Sequence, residues 1–344
     1  MKKACVIGHF GFGKNLLNGQ TIKTRIVTKE LDRQLGVDQV MKIDTHGGIK
    51  TLPKIIVQMI KAFKNCTNII ILPAHNGIKI FVPLCIIFNI VFHRRLHYVV
   101  IGGWINDFLS RHKVLSNMLK KFSGIYVETV AMKNSLLLKD FKNIYVMSNF
   151  KELKILSEEE LVYPREEPLP LCTFSRVMKE KGVEEAINAV IYVNKIHQRI
   201  VYTLDIYGQI DDKQKEWFDL LKSRFPEFVK YRGLVPYDES VAYLKSYYAL
   251  LFPTYYEGEG FAGTLLDAMA AGIPAICSNW KYNNEIIIPG KTGVLVKAKS
   301  QDALNQVLFD VMDCKLNMMK VECIKESERY TPKKVIQVLM CNLK

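Results

Sequence analysis

The residues best suited to chemistry lie at 253–274, in the run PTYYEGEGFAGTLLDAMAAGIP. A strand is expected to end at Pro253, a glycine-punctuated acidic loop to follow, and a helix to begin near Gly263. Free amides at a helix start can take a phosphate, helped by the helix dipole. Glu259 would project from the loop, with Asp267 about one turn inside the helix. Carboxylates only accept hydrogen bonds and can chelate vicinal hydroxyls, so two of them flanking a phosphate site suit the hydroxyl-rich ends of a nucleotide sugar. A solvated acidic loop would not explain Gly258, Gly260 and Gly263 together.

A second constellation precedes it at 174–183 (FSRVMKEKGV). Arg176 leaves a strand end, and Lys181 opens the next helix before Gly182, with Lys179 as an alternative to Lys181. Two cations at the carboxyl edge of a strand can neutralise a diphosphate leaving group as charge develops on it. A third lies at 8–21 (GHFGFGKNLLNGQT), a near-miss to a phosphate-binding P-loop. Asn15 stands where a Ser or Thr hydroxyl must hold magnesium, so a flexible backbone loop from Gly11 to Gly19 is the preferred reading.

These loops need a scaffold that ends strands at one edge. Strand-like runs at 3–8, 39–43, 69–73, 97–102 and 124–129 alternate with helical patterns such as 52–64 and 107–121. The texture changes at 153–170 (LKILSEEELVYPREEPLP), where acids cluster and three prolines read as a connector. The alternation then restarts, with strands at 170–175, 200–208, 228–233, 249–253 and 274–278. Helices 183–196, 213–223, 238–247 and 263–271 lie between them. Alternating β and α of this length argue for parallel, doubly wound sheets, whose ligands sit outside the carboxyl ends of the strands. The expected architecture is α/β, two Rossmann-like doubly wound domains facing a cleft. Their expected bounds are 1–165 and 166–325, with a helix at 326–344 returning to the first domain.

The 344 residues hold eight scattered cysteines with no Cys-x-x-Cys pair, which favours a reducing compartment over a disulfide framework. The N-terminus reads as a first strand and its loop rather than a signal peptide, so a cytoplasmic location is expected. Charge is one-sided: residues 1–150 carry 22 Lys+Arg against 7 Asp+Glu, a net +15, and the rest is close to neutral. A field of that size concerns a partner rather than the fold. No RGG, zinc or RNP-type pattern accompanies it, so nucleic acid is not expected. The apolar run 78–92 (IKIFVPLCIIFNIVF) meets His93, Arg94 and Arg95. It is shorter than the ~20 residues needed to span a bilayer. Two readings stand: a buried helix, or a monotopic face resting on an anionic membrane surface beside the basic half.

Taken in order, Arg176, Lys181-Gly182, Glu259-Gly260-Phe261 with an acid eight positions on, 268–274 (AMAAGIP) and 285–296 resemble the family-4 retaining glycosyltransferases of GT-B fold. The bacterial capsular and exopolysaccharide enzymes are the most similar in flavour. The resemblance covers roughly residues 170–297; the first half shares only the layout and Gly19, where a loop glycine before the first helix is usual.

The resemblance implies a transfer of hexose or N-acetylhexosamine from a nucleotide diphosphate sugar, UDP preferred, to a sugar or lipid-linked acceptor. Arg176 and Lys181 look like the family's diphosphate ligands, and Glu259 like the acid that holds the donor sugar. Asp267 falls on the acid that binds ribose, one methylene shorter than the usual Glu. The backbone of Phe261, Ala262, Gly263, Thr264 and Leu265, next to Gly260, would meet sugar and phosphate, and Gly208 and Gly233 would border the nucleotide. Many members carry a histidine after a first-domain strand; here Gly102 and Gly103 occupy the best-placed strand end and His75 ends an earlier strand. These three are candidates for acceptor or sugar contact. The sequence contains no Asp-x-Asp, so no metal or other cofactor is expected. Another GT-B enzyme, such as a sugar-nucleotide epimerase, and a nonenzymatic membrane- or nucleic-acid-binding module are the competing readings.

Overall fold

The computed structural model describes residues 1–14 and 19–343, without the Ile49 side chain. It divides into two compact units, residues 1–151 with 332–344, and residues 152–331.

Unit 1 is a parallel sheet of β1 (Lys2–Gly8), β2 (Val40–Asp44), β3 (Cys66–Ile71), β4 (Arg95–Val99), β5 (Gly124–Val127) and β6 (Ile144–Val146). Their spatial order is β2-β1-β3-β4-β5-β6. Around the sheet run α1 (Gly19–Leu35), α2 (Leu52–Asn65), α3 (His75–Phe92), α4 (Ile105–Arg111), α5 (Lys113–Leu119) and α6 (Val130–Leu137). Central strands such as β3 are buried on both faces, which is why they read as continuous Ile-rich runs rather than alternating ones. The single helix expected at 107–121 is two helices that meet at His112, which caps both and leaves helical φ/ψ.

Unit 2 holds β7 (Leu169–Phe174), β8 (Tyr202–Tyr207), β9 (Val229–Gly233), β10 (Ala249–Phe252), β11 (Ala275–Ser278) and β12 (Gly293–Val296). They form a parallel sheet in the order β12-β11-β10-β7-β8-β9. Its helices are α7 (Val183–His197), α8 (Lys215–Lys222), α9 (Ser240–Leu244), α10 (Gly263–Ala270), α11 (Gln301–Asp310) and α12 (Lys320–Ser327). The tail, with α13 (Pro332–Val335) and α14 (Gln337–Met340), belongs to unit 1, where Gln337 donates to Gln34 at 3.1 Å.

The boundary between units falls at 151/152, earlier than the expected 165. The proline- and acid-rich segment is not a free connector. Leu156 and Leu161 are buried in the unit 2 core, and the Leu156 amide donates to the Ala270 carbonyl at 3.0 Å.

One buried group gives unit 1 a pH signature. His97 on β4 is fully buried, with Nδ1 3.1 Å from the Tyr126 hydroxyl and Nε2 3.1 Å from Asn68 Oδ1. Burial, and then the charge of Arg95, push its pKa from 6.5 down to about 3. The unfolded chain therefore takes up this proton first as pH falls. The stabilisation is complete above pH 6.5 and is lost progressively between there and about 3. Unfolding in urea should show stability dropping by up to about 1.4 kcal/mol per pH unit in that window. His97→Gln should flatten the slope, and an unchanged slope would assign it to other groups.

Candidate functional site

The strand order of unit 2 reverses between β7 and β10, and in such sheets the crevice outside the carboxyl ends at the reversal is the ligand site. The loops leaving these two strands are the two constellations read from the sequence. After β7 the chain passes Arg176, makes a turn at Lys179–Lys181, and enters α7 through Gly182 at φ 75°. A Cβ on Gly182 would stand 2.4 Å from the Pro253 carbonyl oxygen, so the loop lies against the end of β10 only because it has none. The Tyr255 amide seals the approach by donating to the Glu180 carbonyl at 2.8 Å.

This docking brings Lys181 Nζ to 2.6 Å from Glu259 Oε2, with the side chains only 12% and 8% exposed. The Thr254 hydroxyl lies 3.0 Å from the same carboxylate oxygen, and the Lys181 ammonium sits over the rings of Phe252 and Tyr256 at 5.3 and 5.1 Å. The sequence assigned these two residues to different groups of a ligand; the structure pairs them directly. The neighbouring charged residues are engaged elsewhere. Lys179 faces the Trp217 ring at 5.7 Å, and Glu257 is a surface residue paired with Lys281 at 2.7 Å.

The first turn of α10 has no side-chain cap. Its N-cap is Ala262, which offers no side-chain hydrogen bond; the Leu265 amide donates to the Ala262 carbonyl at 3.1 Å, which leaves the Gly263 and Thr264 amides as the ones an anion could meet. Thr264 ties this helix start to the site by donating to the Phe174 carbonyl at the end of β7. Phe261, Ala262 and Leu265 bury their side chains in the core, Phe261 edge-on to Tyr330 at 5.3 Å, so only their backbone is available to a ligand. Gly263 begins the helix and Gly260 is half-buried in the loop before it. Asp267, one turn further in, is buried and accepts from the Ser240 hydroxyl at 2.8 Å.

Arg176 is 58% exposed and 3.6 Å from Asp211 Oδ2. Gly208 ends β8 at φ 138°, where a Cβ would stand 1.8 Å from the Ser175 carbonyl oxygen. Its amide donates to Gly233 at 2.9 Å. Arg176, Gly208 and Gly233 therefore line one sheet edge together.

Unit 1 has its own reversal, between β1 and β3, and a cavity of 640 Å³ lies there. Its lining includes His9, Gln20, Leu52, Ile55, His75 and Phe81. The glycine loop after β1 is clamped from within: the Asp44 carboxylate accepts from the amides of Phe10, Gly11 and Phe12 at 2.9, 3.2 and 3.0 Å. Partial burial would raise the Asp44 pKa, but these amide bonds outweigh it and hold it below its usual value. Three of the amides that a P-loop would offer to phosphate are thus already occupied. Asn15 and the rest of 15–18 lie outside the described residues.

Gly19 opens α1, and a Cβ built there would meet nothing within 4 Å among the described residues. His75, at the start of α3, stacks on Trp104 at 3.9 Å, directly after Gly102 and Gly103, so the three candidates from the first half do converge. His9 of the cavity wall belongs to a pair the sequence did not reveal: its Nδ1 is 2.7 Å from the Thr21 hydroxyl and its Nε2 is 3.0 Å from His46 Nδ1. Burial, and then the neighbouring His46, lower the His9 pKa and favour its neutral form.

Residues 161–329 match the family model described as Glycosyl transferases group 1. Unit 2 is similar to a group 1 glycosyltransferase domain over nearly all of its length. In sequence the chain is similar to an uncharacterized glycosyltransferase, MJ1069, of Methanocaldococcus jannaschii: 23% identity over 203 residues, 57% of this chain and 51% of that protein. It is also 27% identical over 155 residues to the GtfA subunit of a UDP-N-acetylglucosamine–peptide N-acetylglucosaminyltransferase of Streptococcus gordonii, 44% of this chain and 29% of that one. The chain thus spans about half or less of the curated relatives it matches. Among solved structures it is similar to HepE of Anabaena in complex with UDP and glucose, with a TM-score of 0.72 at 13% identity, over 99% of this chain and 98% of that one. The fold is GT-B, each half built on its own six-stranded parallel sheet.

Proposed function

We propose that this chain is a retaining glycosyltransferase. It moves a hexose or N-acetylhexosamine from a UDP-sugar to a sugar or lipid-linked acceptor in bacterial surface polysaccharide synthesis. The observation that carries the reading is the Lys181–Glu259 pair beside the uncapped start of α10, at the reversal of the unit 2 sheet. UDP is supported by HepE, whose solved complexes hold UDP and UDP-glucose.

In this reading the α10 amides, Lys181 and Arg176 receive the diphosphate, and their charge stabilises the leaving UDP without a metal. Glu259 holds donor hydroxyls through its second carboxylate oxygen while Lys181 fixes the first. The bond between the anomeric carbon and the diphosphate oxygen breaks as the acceptor oxygen bonds to that carbon on the same face. The acceptor proton passes to the leaving phosphate. The cavity of unit 1, with His75 in its lining and Gly102 and Gly103 leading to the Trp104 on which His75 stacks, takes the acceptor.

A thermal-shift panel of UDP, GDP, ADP and CMP tests the donor. A nucleotide at 100-fold its dissociation constant adds ~2.7 kcal/mol, which moves the midpoint of a domain this size by roughly 5–10 °C. UDP should give the largest shift, and GDP or ADP in its place would change the donor. Transfer should also persist in EDTA; complete loss that Mg²⁺ or Mn²⁺ restores would defeat the charge-stabilisation account.

A further inference from the structure

Helix α3 is apolar on two opposite faces. Ile78, Phe81, Val82 and Cys85 recur at the spacing of one helical stripe and are buried in unit 1. On the other side Ile87, Ile90 and Val91 are 57%, 69% and 72% exposed. Lys79 and Pro83 continue this outer stripe toward the helix start. Only 22% of the helix is buried, and its mean hydropathy is 1.6. Because one face is committed to the protein core, lipid cannot surround the helix and could meet only its outer face.

The outer stripe runs into a groove of 590 Å³ between α3 and the α4–α5 turn. Lys79 and Pro83 form one wall, and Arg111, Lys113, Val114 and Met118 the other. None of the groove's lining residues is acidic. Val114, next to Lys113, is itself 71% exposed. Aliphatic surface and uncompensated cations thus share one face, in the half of the chain that carries a net +15.

We propose that this face docks on an anionic lipid bilayer. The Ile87–Ile90–Val91 stripe enters the boundary between headgroups and acyl chains, and Lys79, Arg111 and Lys113 receive lipid phosphates in the groove. A polyanion such as nucleic acid would engage the cations and leave the aliphatic stripe in water, so the bilayer accounts for more of the face. The inference deepens the glycosyltransferase reading by placing the lipid-linked acceptor at that surface, and rests on it for that step alone.

The test is sedimentation of the full chain with phosphatidylglycerol vesicles, with phosphatidylcholine vesicles as the neutral comparison. Wild type should bind the anionic vesicles and release at high salt. Arg111→Glu with Lys113→Glu should reduce partitioning at least about tenfold, since each basic residue near the surface contributes ~1 kcal/mol. Ile87→Ser, Ile90→Ser and Val91→Ser together should reduce it as much, with the unfolding midpoint unchanged because all three side chains are exposed. The same charge reversal in unit 2, at Lys230 and Lys245, should leave binding within about twofold of wild type if the effect is local rather than a matter of net charge. Equal binding to both vesicle types, wild-type binding by the serine variant, or retention on duplex DNA that the serines do not affect would each overturn the proposal. So would serine substitutions that abolish self-association in a protein that never binds vesicles. The UDP-induced thermal shift is read on every variant: its absence with vesicle binding intact defeats the glycosyltransferase reading and leaves the docking face standing.

Discussion

Glu259→Gln is expected to lower turnover by roughly tenfold to 150-fold, the range for loss of one charged hydrogen bond. The same substitution should lower stability, because it leaves the Lys181 ammonium, only 12% exposed, without its carboxylate at 2.6 Å. Removing one partner of a buried ion pair costs up to 3–5 kcal/mol; an amide that still accepts a hydrogen bond should recover part of that, leaving a loss of about 2 kcal/mol. The two effects separate in a double mutant. Lys181→Met added to Glu259→Gln removes the stranded charge, so urea stability should recover while turnover stays low. Glu257→Gln is the control, since Glu257 sits on the surface with Lys281 and should retain wild-type activity. Full activity in Glu259→Gln would remove the acid from the mechanism, and loss only in Glu257→Gln would move the role to the loop surface.

What the sequence disclosed about this site, and what it withheld, follows from how each contact is made. The glycines at 258, 260 and 263 and the strand ending at Pro253 are local signals, and α10 starts where they place it. Arg176 and Lys181 were legible because both lie in one loop that leaves one strand. Their meeting partners were not legible: Glu259 is 78 residues from Lys181, and only the order β10-β7 makes the two loops neighbours. Thr254, which steadies the pair, is a lone hydroxyl with no pattern around it. In the first half, the Asp44 clamp on the amides of residues 10–12 crosses two strands, so the loop read as flexible from its glycines alone. The unit boundary was misplaced for a related reason. Acids and prolines at 153–170 announce a connector, but Leu156 and Leu161 within it are core residues of unit 2. The apolar helix at 78–92 stayed ambiguous between core and membrane because it has one apolar face buried and one exposed.

Gly208→Ala should be the most damaging single methyl in unit 2. At φ 138° the new Cβ would be strained by the backbone alone, and it would also stand 1.8 Å from the Ser175 carbonyl oxygen. Positive-φ strain costs about 1–3 kcal/mol and overpacking a further 1–3, so a loss of about 3–5 kcal/mol is expected in urea unfolding. Gly233→Ala separates the two contributions. It lies on the same sheet edge at φ 82°, with nothing among the described residues within 4 Å of the added carbon, so it should cost only the strain, about 1–2 kcal/mol. The functional consequence differs as well. To admit a methyl at 208 the 175–176 backbone must move, and Arg176 moves with it, away from the edge it shares with Gly208 and Gly233. Gly208→Ala that still folds should therefore lose UDP affinity as well as stability, whereas Gly233→Ala should lose stability with its UDP shift nearly intact. Equal losses of stability in the two variants would mean that the approach of β8 to the 175–176 loop is loose, and that Arg176 is placed by Asp211 at 3.6 Å rather than by the backbone beneath it.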